Sequence, residues 1–323
     1  RLKDNLFEVI WDFVLDTDGL KVSTPLSGTL VPFIPGDIKN FMAEVTLEKI
    51  ESSFAKPIEK FSVKAIRTPG RFDFIGGKNE LIKGYLLDSG DLYASVTGDF
   101  PILFAASGSI KQKQFNINFS NIQADLHSIS KNLTIEDFQL KSGTLSGNFY
   151  LGGLFFDPEF EGFLDIKDLV VSLGNFLPND LSTKNIKLVA NDDSFKIENV
   201  LLTSGKAQVG FAASLSLDRW MLEELKVHLQ TLNKTLLPVD CKLPIMNLIA
   251  NLNFNLEMAF SPDLLDLRGN VDVQDTILSL TLAGNDNDSE KESKKSNLEV
   301  VMDLIVNIAP KSKIFYPNQE NPI

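Results

Sequence analysis

The side chains most able to do chemistry are few, and they lie far apart in this sequence. His127 and His228 stand in separate regions, without the spacing of a paired metal site. Cys241, the one cysteine, has no adjacent histidine that could generate a thiolate. A single cysteine also rules out an intramolecular disulfide and any metal site built on several cysteines. These residues therefore favour surface and structural roles over catalysis.

Other short motifs match reactive or ligand-binding signatures only in part. The chain has no Gly-x-Ser-x-Gly sequence, with which hydrolases expose a serine at a sharp turn. The acidic stretch DNDSEKES, residues 286–293, lacks the glycine of an EF-hand calcium loop and contains Lys291. DTDG at residues 16–19 is typical of a tight turn, and RTPGRFDFIGGKN lacks the spacing of a nucleotide-binding glycine motif. We therefore expect no catalytic residue, no metal, no cofactor and no enzyme activity.

The most regular feature of the chain is alternation of residue type. From Lys206 to Leu217, apolar residues alternate with polar or small residues at every position. A period of two predicts β-strands with one apolar face and one polar face. Gly, Asn, Asp and Pro separate the alternating stretches and are typical of turns. The same pattern recurs in residues 115–119, 145–151, 252–260 and 298–308. The sequence therefore predicts an all-β fold.

Helical signals are weak by comparison. The spacing of Trp220, Leu222 and Leu225 is close to that of a helix. Residues 217–229 are therefore compatible with either a short helix or a strand. Residues 179–185 and 232–249 leave either a short helix or a loop open. We therefore expect few helices, and short ones.

Two stretches of the chain repeat the same order of features. Residues 156–173 and residues 260–280 both read as an apolar strand, a Pro-containing turn, a strand opened by glycine, an aspartate break and a third strand. Gly162 and Gly269 occupy equivalent places in them. Such self-similarity favours stacked units over a closed globule. Between two later strands, residues 283–297 contain no large apolar residue and predict a disordered polar loop.

The composition narrows the class of protein. The 323 residues are 43% hydrophobic and 23% charged, which is enough apolar content to fold. The net charge of −12 argues against nucleic-acid binding. Phenylalanine, at 24 residues against 4 tyrosines and 2 tryptophans, supplies apolar area without a polar group. No apolar stretch is long enough for a transmembrane helix, and the start at Arg1 suggests a fragment or a processed product.

Two arrangements of the strands could shield so many apolar faces from water. Two sheets could bury them against each other as a sandwich. Alternatively, one long sheet could curl, because strands twist, into a U-shaped groove with an apolar interior. The long alternating strands and the scarcity of doubly apolar runs favour the groove. About 25 strands at ~4.8 Å spacing would extend on the order of 100 Å.

Three short blocks of sequence carry a resemblance to a known family. The phrase Pro-x-x-x-Gly followed by alternating apolar residues and Asp or Asn, and then a glycine-flanked strand, matches positions Pro158, Gly162, Leu164, Ile166, Asp168, Gly205, Ala207, Val209, Gly210, Pro262, Gly269, Val271, Val273 and Asp275. The order of these blocks resembles the TamB/AsmA-like family, the translocation and assembly module subunits of diderm bacteria. The resemblance covers residues 101–323, as an internal to C-terminal segment. Residues 1–100 are expected to be a weakly assigned β segment continuous with the rest.

The resemblance implies a fold, a function and a place in the cell. Members look like long β-grooves, also described as a β-taco, with a hydrophobic groove for lipid transport. It implies a non-catalytic conduit for phospholipids between the inner and outer membrane, in the periplasm, with the parent protein anchored in the inner membrane. It also implies an outer-membrane barrel partner of the assembly-factor type. The alternative is a structural β-solenoid that assists barrel assembly through contacts at a strand edge.

The apolar sides of the alternating strands give the candidate groove lining. Phospholipid acyl chains are expected to contact them, whereas no metal or nucleic acid is expected to bind. The candidates are Phe149, Leu151, Phe163, Leu164, Ile166, Val209, Phe211, Leu215, Leu217, Phe254, Leu256, Met258, Phe260, Leu304 and Val306. Aspartate at Phe211 or Phe254 is then expected to block lipid passage while leaving the fold largely intact.

Overall fold

The fold is all-β, as the alternation predicts. The computed structural model describes residues 2–3, 6–17, 20–32, 40–50, 56, 58–133, 137–243, 246–280, 299–310 and 312–315. Strands account for most of these residues. Within the same ranges, helical structure is confined to α1 (Leu126–Ser130) and a 3-10 turn at Lys78–Glu80. The predicted polar loop at residues 283–297 lies outside the described residues.

The chain divides into two compact units. Unit 1 comprises Arg1–Glu136 and Thr144–Leu164, and unit 2 comprises Asp137–Gly143 and Asp165–Ile323. A division at residue 101, as the resemblance implies, stays a prediction. Strands on either side of that position pair in register, from Asp91 opposite Ser109 to Val96 opposite Phe104.

Unit 1 is built from antiparallel hairpins in chain order. Each strand from the second to the tenth pairs with its neighbours in sequence. Asp125 caps α1, since its carboxylate accepts from the His127 N–H at 3.1 Å and the Ser128 hydroxyl at 2.7 Å. The strands are β1 (Leu2–Lys3), β2 (Leu6–Thr17), β3 (Leu20–Pro32), β4 (Phe41–Ile50), β5 (Ile58–Thr68), β6 (Arg71–Gly76), β7 (Ile82–Leu87), β8 (Asp91–Val96), β9 (Ile102–Lys111) and β10 (Gln114–Asp125). Two further strands, β11 (Gln139–Leu154) and β12 (Asp157–Ser172), contribute residues to both units.

Unit 2 begins as hairpins and then departs from that order. Its strands are β13 (Leu181–Asp192), β14 (Ser194–Ser204), β15 (Ala207–Asp218), β16 (Met221–Thr231), β17 (Leu237–Leu243), β18 (Met246–Ser261), β19 (Leu264–Leu280), β20 (Glu299–Ile308) and β21 (Lys313–Phe315). β18 has two partners on one edge, because its first half pairs with β17 and its second half with β16. β20 and β21 both lie parallel to β19, at different positions along it. Parallel pairing is not what a chain of hairpins would give.

None of the described residues in the three segments that left a helix open is helical, and most of them lie in strands. Residues 217–229 form the turn after β15 and most of β16, and residues 232–249 contain β17 and the start of β18. Residues 179–185 lead into β13. Strand alternation resumes at Leu225, and pairing with β15 and β18 on both edges outweighs the short helical spacing.

The predicted repeat has a structural counterpart, although its strand boundaries are wrong. Gly162 and Gly269 lie inside β12 and β19, with φ of +137° and +144°, and Asp168 and Asp275 have φ of +50° and +49°. A side chain at either glycine would collide with a carbonyl oxygen of the neighbouring strand. The glycine therefore permits close strand approach, and the aspartate accommodates a kink without ending the strand.

Candidate functional site

The strand register gathers the apolar residues of unit 2 on one face of its sheet. Residues directly opposite each other in a ladder project from the same face. The cross-strand rows that result are Phe195–Leu215–Leu225–Phe260–Leu265–Val300, Ile197–Ala213–Val227–Met258–Leu267–Met302 and Val200–Phe211–Leu229–Leu256–Gly269–Leu304. Every member of these rows is apolar or glycine. We call this surface the apolar face of unit 2.

One end of the apolar face is covered by protein. Ala207, Val209, Leu237 and Phe254 are 1–8% exposed and form a packed cluster. Leu177, Leu202, Leu229, Leu252, Leu256 and Val271 pack around it. The cluster is the hydrophobic core of this end of the sheet, and we call it the packed cluster.

Leu177 reaches the packed cluster from a segment that lies between β12 and β13. This segment, residues 173–180, is called the strap. Backbone N–H groups of Asp240 and Lys242 donate to Phe176 O at 3.1 Å and Asn175 O at 3.0 Å. The hydroxyl of Ser204, which is fully buried, donates to Asn179 O at 3.2 Å. These bonds tie the strap to β17 and to the end of β14.

A salt bridge fastens the far end of the strap. Lys141 Nζ lies 2.8 Å and 2.9 Å from the two carboxylate oxygens of Asp180. Its hydrogen bond lowers the pKa of Asp180. A lowered pKa means that the ionised carboxylate stabilises the folded state at neutral pH, and that this contribution is lost as the pH falls through the folded-state pKa.

We expect Asp180→Asn to lower the midpoint of thermal unfolding by about 1–3 °C at pH 7, since both partners are partly exposed. The difference from wild type should shrink below about pH 4. Asp240→Asn is the matched control, because Lys242 lies at a looser 3.6 Å from that carboxylate. Thermal melts followed by circular dichroism across pH check this. An unchanged midpoint at pH 7, or an equal loss in the control, would contradict a fastening role for Asp180.

The other end of the apolar face is open. A cavity of about 440 Å³ lies there, between β13 and β16, lined by Leu188, Phe195, Ile197, Ala213, Ser214, Leu215, Leu217 and Leu225. All of these side chains are only half-buried. Farther along the rows, Val300 and Met302 are 54% and 65% exposed. An apolar surface of this kind can take an apolar ligand without rearranging the strands.

Unit 1 has an apolar face of its own. Phe119 is opposite both Ala106 and Phe149, and Ile117 is opposite Leu151. Aromatic rings adjoin on it, with ring centroids 5.9 Å apart for Phe104–Phe119 and 5.8 Å for Phe149–Phe160. Ala106 and Ile117 are buried, whereas Phe104, Phe119 and Phe149 are half-buried.

The structure distributes the predicted lining residues unevenly. Phe211, Leu215, Leu217, Leu256, Met258, Phe260, Leu304 and Val306 lie on the apolar face of unit 2. Val209 and Phe254 share that face but belong to the packed cluster. Phe149 and Leu151 lie on the apolar face of unit 1. Ile166 is half-buried in the part of β12 that belongs to unit 2.

Phe163 and Leu164 cannot both line one surface. They are consecutive in β12, so their side chains project from opposite faces. A Cβ placed on Gly147 would lie 2.9 Å from Leu164 Cδ2, so Leu164 shares the face of Gly147 and of Ile122, which is opposite Gly147. Leu164 is therefore on the apolar face, whereas Phe163 projects from the opposite face, and a role of either in lining a groove stays a prediction.

The opposite face of unit 2 is polar and partly charged. His228 Nε2 lies 2.7 Å from Asn255 Oδ1, and Arg268 pairs with Asp266 at 2.7 Å. The hydrogen bond to Asp266 raises the pKa of the Arg268 guanidinium. A depression of about 550 Å³ on this face mixes basic and acidic side chains. Ion pairs here join residues of the same strand, Arg268 with Asp266 and Lys226 with Glu224, as on a solvated sheet surface.

The residues considered for chemistry are dispersed. His127 lies in α1 of unit 1, and Cys241 is buried in β17, opposite Leu248. Where the structure describes side chains, no three His, Cys, Asp or Glu residues gather as metal ligands.

Sequence reasoning missed the strap and the role of Leu237. Leu173, Phe176 and Leu177 stand in a turn-rich stretch, LGNFLPND, without alternation. Three apolar residues among turn-forming residues were the available signal that this segment packs against the hydrophobic core.

No protein-family model, curated protein or solved structure matches the chain. In the part of the chain that the structure describes, no helix has the length and apolarity needed to cross a bilayer.

Proposed function

We propose that this chain is a segment of a non-catalytic conduit that carries phospholipids between the inner and outer membrane of a diderm bacterium and so supports outer-membrane biogenesis. The observation that carries the proposal is the register of unit 2. It aligns apolar side chains of β14, β15, β16, β18, β19 and β20 in continuous rows that are mostly half-buried or exposed. A closed core of this size would bury them.

The physical basis is the hydrophobic effect. Each CH₂ group that leaves water for an apolar surface contributes about 0.8 kcal/mol. A surface of Leu, Phe, Val and Met needs no directional bond to a chain, so acyl chains can slide along it. The opposite face of the sheet carries polar side chains, so that face can remain hydrated while the apolar face binds lipid.

The resemblance to the TamB/AsmA-like family supports the same proposal. On that resemblance we propose that the protein works in the periplasm, with the parent protein anchored in the inner membrane. It also suggests an outer-membrane barrel partner of the assembly-factor type. Neither requires a catalytic centre, so we propose that the protein is not an enzyme.

A second function is favoured by the edge of β20. β20 pairs with β19, and most of its residues are exposed. Val300, Met302 and Ile305 are 54–65% exposed there. Such an edge could pair with an incoming strand of a barrel protein. Crosslinks that map to this edge, in protein free of lipid, would favour this alternative.

The proposed function is tested by extracting the purified protein with organic solvent and identifying the extract by mass spectrometry. We expect several phospholipid molecules per chain, because the apolar rows extend over several strands. Circular dichroism must show that the extracted sample was folded beforehand. A folded protein that carries no lipid, and takes up none from vesicles, would overturn the conduit.

A further inference from the structure

The turns beside the open end of the apolar face carry aspartates. Asp192 and Asp193 follow one another at the β13–β14 turn, Asp218 ends β15 and Asp263 lies between β18 and β19. Backbone bonds connect these turns to neighbouring strands, since Leu217 N–H donates to Asp193 O at 3.0 Å and Glu299 N–H donates to Asp263 O at 2.8 Å. All four aspartates are exposed. We call the turns that carry these four aspartates the acidic turns.

The acidic turns are almost without counter-charge. Arg219 Nε lies 3.9 Å from Asp218, and both side chains are exposed. Of the described cations, none is within ion-pair distance of Asp192, Asp193 or Asp263. Two aspartates at a turn of unit 1 differ, because Arg67 pairs with Asp88 and Lys111 pairs with Asp91, each at 2.6 Å. The acidic turns therefore lack the close ion pairs that Asp88 and Asp91 make.

The acidic turns adjoin the 440 Å³ cavity. Leu217, which lines it, precedes Asp218, and Phe195 follows Asp193 by two positions. The opposite turns of the same strands carry Lys206 and Lys234, but they lie beyond the packed cluster. The 12 residues of β15 separate the two edges by roughly 40 Å along the strand. The headgroup of an amphiphile whose chain fills the cavity would thus meet carboxylates, not lysines.

From this we infer that unit 2 selects amphiphiles whose headgroup carries an amine, such as phosphatidylethanolamine. It selects them over amphiphiles with a net negative headgroup, such as phosphatidylglycerol. The inference rests on the proposed function. Both lipid classes contain a phosphate, which carboxylates repel, but only the ammonium group offsets that repulsion. The interaction acts over about 10 Å at 0.1 M salt, so we expect a preference of about three- to tenfold that fades at high salt.

The experiment is a competition for the full chain. Protein is equilibrated with vesicles that contain equal amounts of phosphatidylethanolamine and phosphatidylglycerol with identical acyl chains, recovered, and extracted for mass spectrometry. The test variant converts Asp192, Asp193, Asp218 and Asp263 to asparagine, which turns tolerate well. The matched control makes the same change in net charge on the polar face, by Glu198→Gln, Glu257→Gln, Asp272→Asn and Asp303→Asn. These four residues are exposed in unit 2.

Wild type and the control should retain ethanolamine lipid in about three- to tenfold excess, and the acidic-turn variant should retain both lipids about equally. The preference should also fall at 0.5 M salt. Equal retention by wild type, or an equal shift in the control, would overturn the inference while leaving the conduit standing. If wild type retains neither lipid, both the inference and the proposed function fail.

Discussion

Replacing Phe254 by alanine should destabilise unit 2 more than any other single truncation on its apolar face. The side chain is 8% exposed and packs in the cluster that Val209, Leu237 and the strap complete. Its backbone is also fixed, because Phe254 N–H donates to Thr231 Oγ1 at 3.0 Å. Truncating a buried phenylalanine costs about 3–5 kcal/mol, from lost transfer free energy and the cavity left behind. The midpoint of thermal unfolding should fall by about 10 °C.

Phe260→Ala is the matched control for this experiment. Phe260 lies on the same strand and the same face but outside the packed cluster, where it is half-buried. We expect a loss of about 1–2 kcal/mol, in proportion to the smaller area that it buries. Differential scanning calorimetry of both variants measures the difference. Similar losses for the two would mean that the whole face is packed, which would contradict an open end. The burial of Phe254 also argues against the expectation that aspartate there would leave the fold intact.

The strand positions were predictable because alternation is a local property. Each stretch such as residues 206–217 or 252–260 shows its two faces without knowledge of its partners. β15 matches the first stretch closely, and β18 contains the second but begins six residues earlier, at Met246. Local pattern also predicted the equivalence of Gly162 and Gly269. It could not show that β12 and β19 continue past them, because a kink and a strand end use the same residue types.

The boundary between packed and open parts of the apolar face was not predictable. Val209 and Leu215 look alike in sequence, but Val209 is buried because Leu237, Phe254 and Leu177 of the strap, all distant in the chain, gather in its cluster. The choice between Phe163 and Leu164 also depended on a neighbour, Gly147. The parallel pairing of β20 with β19 depends on where the chain returns, which no local pattern encodes.

Aspartate at Leu215 should abolish lipid retention while the fold persists. Leu215 lines the open cavity and is opposite Phe195 and Leu225, so a carboxylate there would face any acyl chain in the cavity. Burying an ionised carboxylate against hydrocarbon costs several kcal/mol, which exceeds the gain from a few CH₂ groups. We expect lipid per chain to fall by about tenfold or more, a change that 1.4 kcal/mol already produces.

Ala212→Asp is the control, since Ala212 is on the same strand but faces the polar side, opposite His228. It introduces the same charge three positions away and should leave lipid retention unchanged. Leu215→Met keeps the site apolar and should retain lipid as wild type does. Mass spectrometry of extracts gives lipid per chain, and circular dichroism reports the fold. Because the two aspartate variants differ only in the face that carries the charge, equal lipid content in both would mean that lipid does not contact the apolar face. Loss confined to Leu215→Asp, in a folded protein, would assign lipid to the open end of that face, where no packed side chain competes with it.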